Sequence, residues 1–161
     1  MTTGRTWLAV AAVVAAICWL RLDVVDSVRV ASDSMTPTYC RGDQLLVLRG
    51  GADTATPGDV VTFTDPVEHA ASLKRVVAVA GQTVRIYDAA LLVDGVAVEE
   101  PYVDGEHIEG TFFGPVTVPP DSVFVLGDER ELSIDSRDYG AVARSAIDGR
   151  VLTRLWSNCG S

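Results

Sequence analysis

Positive charge is scarce in this chain: 13 Lys plus Arg stand against 22 Asp plus Glu, a formal net charge of -9 at pH 7. Such a surface would repel a phosphate backbone, so nucleic acid is excluded as an expected partner. Lysine is scarcer still, because twelve of the 13 basic residues are Arg and one alone, Lys74, is Lys. Arg keeps its proton at any physiological pH, which makes Lys74 the candidate wherever a step needs a neutral amine. Cysteine numbers three, with no CxxC pair and no His/Cys cluster at metal-ligand spacing. Neither zinc nor another metal or cofactor is expected. Long helical periodicity, internal repeats and low-complexity tracts are also missing. With 48% hydrophobic residues over 161 positions, there is apolar material for one compact domain and something small beside it. Disorder and a pair of large domains both fit poorly.

One apolar run is present. Residues 7–20 read WLAVAAVVAAICWL, 14 uncharged residues bounded by Arg5 and Arg21. Apolar on every side, the run is unsuited to a soluble amphipathic helix. A bilayer span takes about 17–25 residues, a length reached if Arg21 snorkels and residues 22–25 join, with Trp7 and Trp19 near the interfaces. The expectation is an uncleaved, single-pass membrane-anchor helix within residues 1–27. Its amino terminus stays in the cytoplasm, and residues 28–161 lie on the extracytoplasmic side of the cell membrane. The alternative is a cleaved secretory signal, whose apolar core runs about 7–15 residues; no small-x-small pair follows Leu20 to mark a cut. Either way the main domain is exported. There Cys40 and Cys159 meet oxidising conditions and could pair, with free thiols as the alternative.

From Val28 onward come short Val-, Leu- and Ile-rich runs punctuated by Gly, Pro and Asp: QLLVL, DVVTF, RVVAVAG, LLVDGVAV and SVFVLG. In LLVDGVAV two apolar runs flank Asp94-Gly95, a pair that accepts the positive backbone angles of a tight hairpin. Several such runs without intervening helices predict an all-β domain of antiparallel sheet.

Four blocks could carry chemistry. In SDSMTPT (residues 32–38) Ser32 and Ser34 stand two apart on a turn, able to offer a nucleophile and a hydrogen-bond donor to one carbonyl; a plain Ser/Thr turn before a strand is the bland reading. GDVVTF (58–63) reads as a turn into a strand. In LKRVVAVAG (73–81) a charged pair opens an apolar strand. Apolar surroundings would strip water from the Lys74 ammonium and lower its pKa, whereas an edge strand would simply point it at solvent. The fourth, GDERELSIDSRDYG (127–140), is polar enough for a solvated loop, yet Asp135 and Arg137 could form a structural ion pair.

In this order, and behind an apolar N-terminal segment, the four blocks resemble the boxes of the bacterial type I signal peptidases. The resemblance continues through VDGVAVEEPYV and VPPDSVFVLGD, and so covers most of residues 28–140. It implies a membrane-bound Ser/Lys endopeptidase with an all-β, antiparallel catalytic domain. The short chain implies a reduced variable β subdomain over about residues 86–120. Ser34 takes the family's nucleophile position and Lys74 its general base. Ser32 matches a hydroxyl that some members add to the oxyanion hole, and Ser133 the serine that orients the lysine amine. Asp128, Asp135 and Arg137 match charged positions that support the site. Glu129 departs from the usual Asn, and Ala80 and Gln82 flank Gly81 where Pro and Asp are common; these changes touch local loop geometry and spare the nucleophile and base.

The expected partners are exported preproteins, through their signal peptide region, and membrane lipid. An extended precursor segment would add to a sheet edge near Lys74 and present small side chains to small pockets. His69 and His107 are expected at the surface, outside any triad. Three other readings stand beside this one. A maturation protease dedicated to one exported substrate shares every motif. A self-cleaving repressor of the related fold needs a DNA-reading helical domain for which there is no room. A silent, membrane-tethered β module would have no reason to keep both Ser34 and Lys74.

Overall fold

A computed structural model describes Trp7, Val10, residues 24–103 and residues 112–159. The expected anchor, Cys18 and His107 lie almost wholly outside these. Among the described residues no helix is long and apolar enough to cross a membrane.

The domain is mostly antiparallel β-sheet. Its strands are β1 (Val25–Arg29), β2 (Gln44–Arg49), β3 (Val60–Thr64), β4 (Ala71–Val79), β5 (Thr83–Tyr87), β6 (Ala90–Val93), β7 (Val96–Ala97), β8 (Phe112–Thr117), β9 (Ser122–Leu126), β10 (Val142–Ala143) and β11 (Ile147–Trp156), and a short α-helix, α1 (Ser136–Tyr139), follows β9. Seven strands form a sheet in the order β1-β2-β11-β3-β4-β9-β10, and four form a smaller one, β7-β6-β5-β8. The hairpin foreseen at Asp94-Gly95 joins β6 to β7, with φ of 53° and 80° at the two turn residues and Val93 opposite Val96.

Burial follows the pleat. Successive residues of a strand face opposite sides of its sheet, so β2 and β5, with one face covered, alternate: Leu45 and Val47 point inward, as do Val84 and Ile86. β9 is buried at all five positions. Val123 and Val125 pack with Val61, Phe63, Val76 and Ile147 on one side of the large sheet. Phe124 and Leu126 pack with Val84, Ile86 and Leu91 of the small sheet on the other. A third cluster, Val30, Leu45 and Val47 with Tyr39 and Leu73 against it, lies beneath the loop that follows β1.

Two features of this topology shape the site. β4 lies inside the large sheet, so the edge-strand reading of Lys74 does not hold. Pairing with β9 nevertheless runs only from Arg75 to Val79, while β3 pairs with β4 from Ala71 to Arg75. Residues 71–74 therefore keep one side without a strand partner among the described residues.

Candidate active site

Ser34 sits in the loop between β1 and β2. The neck of that loop is closed by backbone bonds from Val30 N–H to the Asp43 carbonyl (2.9 Å) and from Gly42 N–H to the Val30 carbonyl (2.8 Å). Met35, 1% exposed, anchors it in the interior. Lys74 enters from β4, 40 residues away in sequence, and its Nζ donates to Ser34 Oγ at 2.8 Å. Ser32 Oγ lies 3.2 Å from the same oxygen. Loss of water on burial pushes the Lys74 amine below its ordinary value, with the Asp135 carboxylate the leading influence in the opposite direction. Only 4% exposed and bonded to a hydroxyl, this amine is arranged to lose its proton more readily than a surface lysine. A neutral amine on a serine hydroxyl can take its proton as the oxygen attacks a carbonyl.

The polar stretch after β9 forms the wall facing this pair. Asp135 is the N-cap of α1, and its side chain accepts from the backbone N–H groups of Arg137 (3.1 Å) and Gly127 (3.0 Å). The Arg137 guanidinium closes on the same carboxylate at 2.8 and 2.9 Å and donates to the carbonyls of Arg130 and Ser133. The foreseen ion pair thus exists, and its bonds shape the loop itself. That loop reaches the serine through Glu129, whose N–H donates to the Ser34 carbonyl at 3.1 Å.

Ser133 is buried in this wall, and its Oγ has no hydrogen-bond partner. Its place depends on the missing side chain of Gly127. A Cβ there would lie 2.2 Å from Ser133 Oγ, 2.4 Å from Ser133 Cβ and 2.6 Å from the Ser34 carbonyl. Gly127→Ala must therefore displace Ser133, Ser34 or both, and a misplacement of about 1 Å costs on the order of 100-fold in rate. Steady-state kinetics should show kcat down by about that factor, while thermal unfolding shows an overpacking loss of about 1–3 kcal/mol.

Asp128 is 1% exposed and takes a two-point contact from Arg75, Nε at 2.8 Å and Nη2 at 2.6 Å. Arg75 also donates to the Gly58 carbonyl and to Thr38 Oγ1. It thereby ties the first three blocks to the fourth, and Gly58 serves as a turn whose carbonyl has a job. Sequence reasoning passed over what covers these groups. The Arg75 guanidinium lies over the Tyr102 ring, Cζ 3.8 Å from its centroid, and the Tyr102 hydroxyl donates to Glu100. Glu100 in turn pairs with buried Arg130 at 2.5 Å. The available signal was chemical: an Arg inside an apolar strand needs an acceptor, and an acidic pair beside a Tyr offers one.

A groove of about 740 Å³ includes the Ser34–Lys74 pair in its lining, with Val28, Val30, Leu73 and Ile134 among its apolar residues and Asp65 and Glu68 among its charged ones. Ala31, Ala70 and Ala71 in the same lining leave room for an extended segment with short side chains. His69 is exposed and does not line it.

Comparison with known proteins agrees with this geometry. The family described as "Signal peptidase, peptidase S26" matches residues 4–156. The chain is 35% identical over 170 residues to signal peptidase I of Bacillus caldolyticus, covering 95% of this chain and 91% of the relative. It is 33% identical over 147 residues to signal peptidase I of Leptolyngbya laminosa, covering 85% and 71%. The crystal structure of a signal peptidase I from Enterococcus faecalis V583 aligns with a TM-score of 0.54 at 31% identity, covering 61% of this chain and 96% of that one. With the match extending over nearly the whole chain and the four boxes gathered around one buried serine and lysine, the chain belongs to the signal peptidase family, peptidase S26.

Proposed function

We propose that this chain is a serine endopeptidase that removes signal peptides from exported proteins, with Ser34 as nucleophile and neutral Lys74 as general base. The observation that carries the reading is the 2.8 Å bond between a buried amine and a buried hydroxyl that together line a groove. Ser34 Oγ bonds to the scissile carbonyl carbon while its proton passes to Lys74 Nζ. The resulting oxyanion is held by the Ser32 hydroxyl and the Ser34 amide. Collapse breaks the C–N bond, and the ammonium of Lys74 returns the proton to the leaving nitrogen. Water then attacks the acyl-enzyme carbonyl and gives its proton to Lys74, which passes it to Ser34 Oγ as the ester C–O bond breaks, freeing the signal peptide carboxylate and restoring the Ser34 hydroxyl and the neutral amine.

Ser133, whose buried Oγ has no hydrogen-bond partner here, is assigned the lysine-orienting role from its place in the fourth block, and Asp128, Asp135 and Arg137 hold the wall that carries it. The precursor lies along the unpaired side of residues 71–74, where main-chain groups are available for strand addition. Residues 1–27 anchor the chain in the cell membrane as a single span, and residues 28–161 work outside the cytoplasm.

Two measurements test the proposal. Mass spectrometry of exported precursors incubated with the detergent-solubilised protein should show a single cut after a small residue; cutting confined to one precursor would select the dedicated maturation reading. The pH dependence of kcat/KM should rise through an apparent pKa below the ordinary lysine value of 10.5, because burial favours the neutral amine. A rate that falls as pH rises through that range would exclude Lys74 as the base.

A further inference from the structure

Residues 154–159 of the C-terminal segment have no part in the chemistry above, yet they grip the loop that carries Ser34. Asp43, fully buried at the neck of that loop, is where the two meet. Its carboxylate accepts from Arg154 Nη1 at 3.0 Å and from the Asn158 N–H at 2.5 Å on the tail, and from the Cys40 N–H at 3.1 Å on the loop. Asn158 Nδ2 donates to the Arg41 carbonyl. This close approach needs Gly42, where a Cβ would come 2.9 Å from that same nitrogen. Arg154 also lies over the Tyr39 ring, and a disulfide joins Cys40 to Cys159 across 119 residues.

We propose that residues 154–159 are a positioning clamp for the Ser34 loop, closed when Cys40 and Cys159 are oxidised and released when they are reduced. The inference rests on Ser34 being the nucleophile. The loop lies outside the sheet, where segments open locally at lower cost than paired strands, and its neck is held by the tail as well as by its own turn bonds. The neck bond from Val30 to the Asp43 carbonyl sets the start of the Ser32–Ser34 turn. Tail and neck therefore share one residue. Releasing the tail removes two of the donors that compensate a buried carboxylate, so Asp43 must shift toward water and take the neck with it. Ser34 then no longer meets Lys74 in a reactive geometry, while the sheet and groove persist.

The redox step is balanced. A small dithiol attacks one sulfur as thiolate and breaks the S–S bond, giving a mixed disulfide. Its second thiolate displaces the other protein sulfur. Two electrons and two protons end on Cys40 and Cys159, and the reductant leaves as a cyclic disulfide. Glutathione disulfide reverses this, leaving two molecules of glutathione thiol.

The test uses the full chain in detergent, well below its unfolding temperature, with a peptide substrate and a serine-directed β-lactam probe. Reduction by dithiothreitol should lower kcat and the probe labelling rate by about tenfold, equivalent to about 1.4 kcal/mol of transition-state stabilisation. KM should stay within about twofold and the far-ultraviolet circular dichroism should not change. Reoxidation by glutathione disulfide should restore both rates. Arg154→Gln, with the disulfide intact, should show the same split at smaller size. Unchanged kcat after reduction, with only a lower melting temperature, overturns the clamp and leaves a plain staple. If the reduced protein unfolds, Arg154→Gln decides alone, and wild-type kcat there overturns the proposal. Ser34→Ala separates the two levels. If it retains full turnover and labelling, the nucleophile assignment fails. If it is dead while the clamp variants match wild type, only the clamp fails.

Discussion

Replacing Lys74 by Met should abolish precursor cleavage and, at the same time, make the folded protein more stable at neutral pH. The activity half follows from geometry, because no other amine stands beside Ser34: every other basic side chain of the Lys/Arg class in the sequence is Arg. General-base catalysis contributes about 100- to 10,000-fold, so kcat should fall at least into that range. Ser34→Ala should fall as far with the amine intact. The stability half follows from linkage. Burial lowers the folded-state pKa of Lys74 below 10.5, so the unfolded chain binds the proton more tightly. Above 10.5 both states are neutral and burial carries no protonation penalty. As pH falls below 10.5 the penalty grows, until it levels off at the depressed folded pKa, at about 1.4 kcal/mol for each unit of depression. Met has no such penalty and a similar shape. Urea titrations of both proteins across pH should show the advantage of Lys74→Met widening as pH falls from 10.5 and then flattening. A variant that is less stable than wild type at pH 7, with cleavage retained, would overturn both halves.

The second large effect concerns stability alone. Asp128→Ala should cost about 3–5 kcal/mol, the range for stranding one member of a buried ion pair. The pair is well suited to that outcome, since the Arg75 and Asp128 side chains are 11% and 1% exposed. Arg75 would remain in place, held by the Gly58 carbonyl and Thr38 against the Tyr102 ring, with its charge unanswered. The expected readout is a lower urea midpoint with an unchanged m-value. A double replacement, Arg75→Met with Asp128→Leu, should recover much of the loss, because an apolar pair avoids the desolvation that the ion pair must offset.

Local features were legible wherever one stretch of chain decides its own conformation. Asp94-Gly95 needs only its own backbone angles to make a hairpin, and the apolar run QLLVL was legible as the strand β2, whereas β5, TVRIY, was passed over. The fully apolar β9 was readable as a strand, but its two-sided burial depends on the small sheet packing across Phe124 and Leu126. Lys74 shows the limit most sharply. Its sequence neighbours allow a solvent-facing edge residue as readily as a buried base, and the choice rests on β3 and β9 flanking β4. The expected export allowed Cys40 and Cys159 to pair, yet 119 residues of separation say nothing about proximity. The Glu100–Arg130 and Tyr102–Arg75 contacts were likewise invisible, because the partners come from distant segments whose approach is set by the two sheets.

By itself, then, the sequence determined the all-β class, the order of the boxes, and that Lys74 is the one lysine side chain, since these depend on residue type and local spacing. Only the tertiary structure decided that this amine is deprived of water and placed on a serine 40 residues away, that an unpaired length of β4 borders the groove, and that the C-terminal tail closes on the serine loop. The reason is physical: desolvation and distance belong to the packed sheet, where segments far apart in the chain exclude water together.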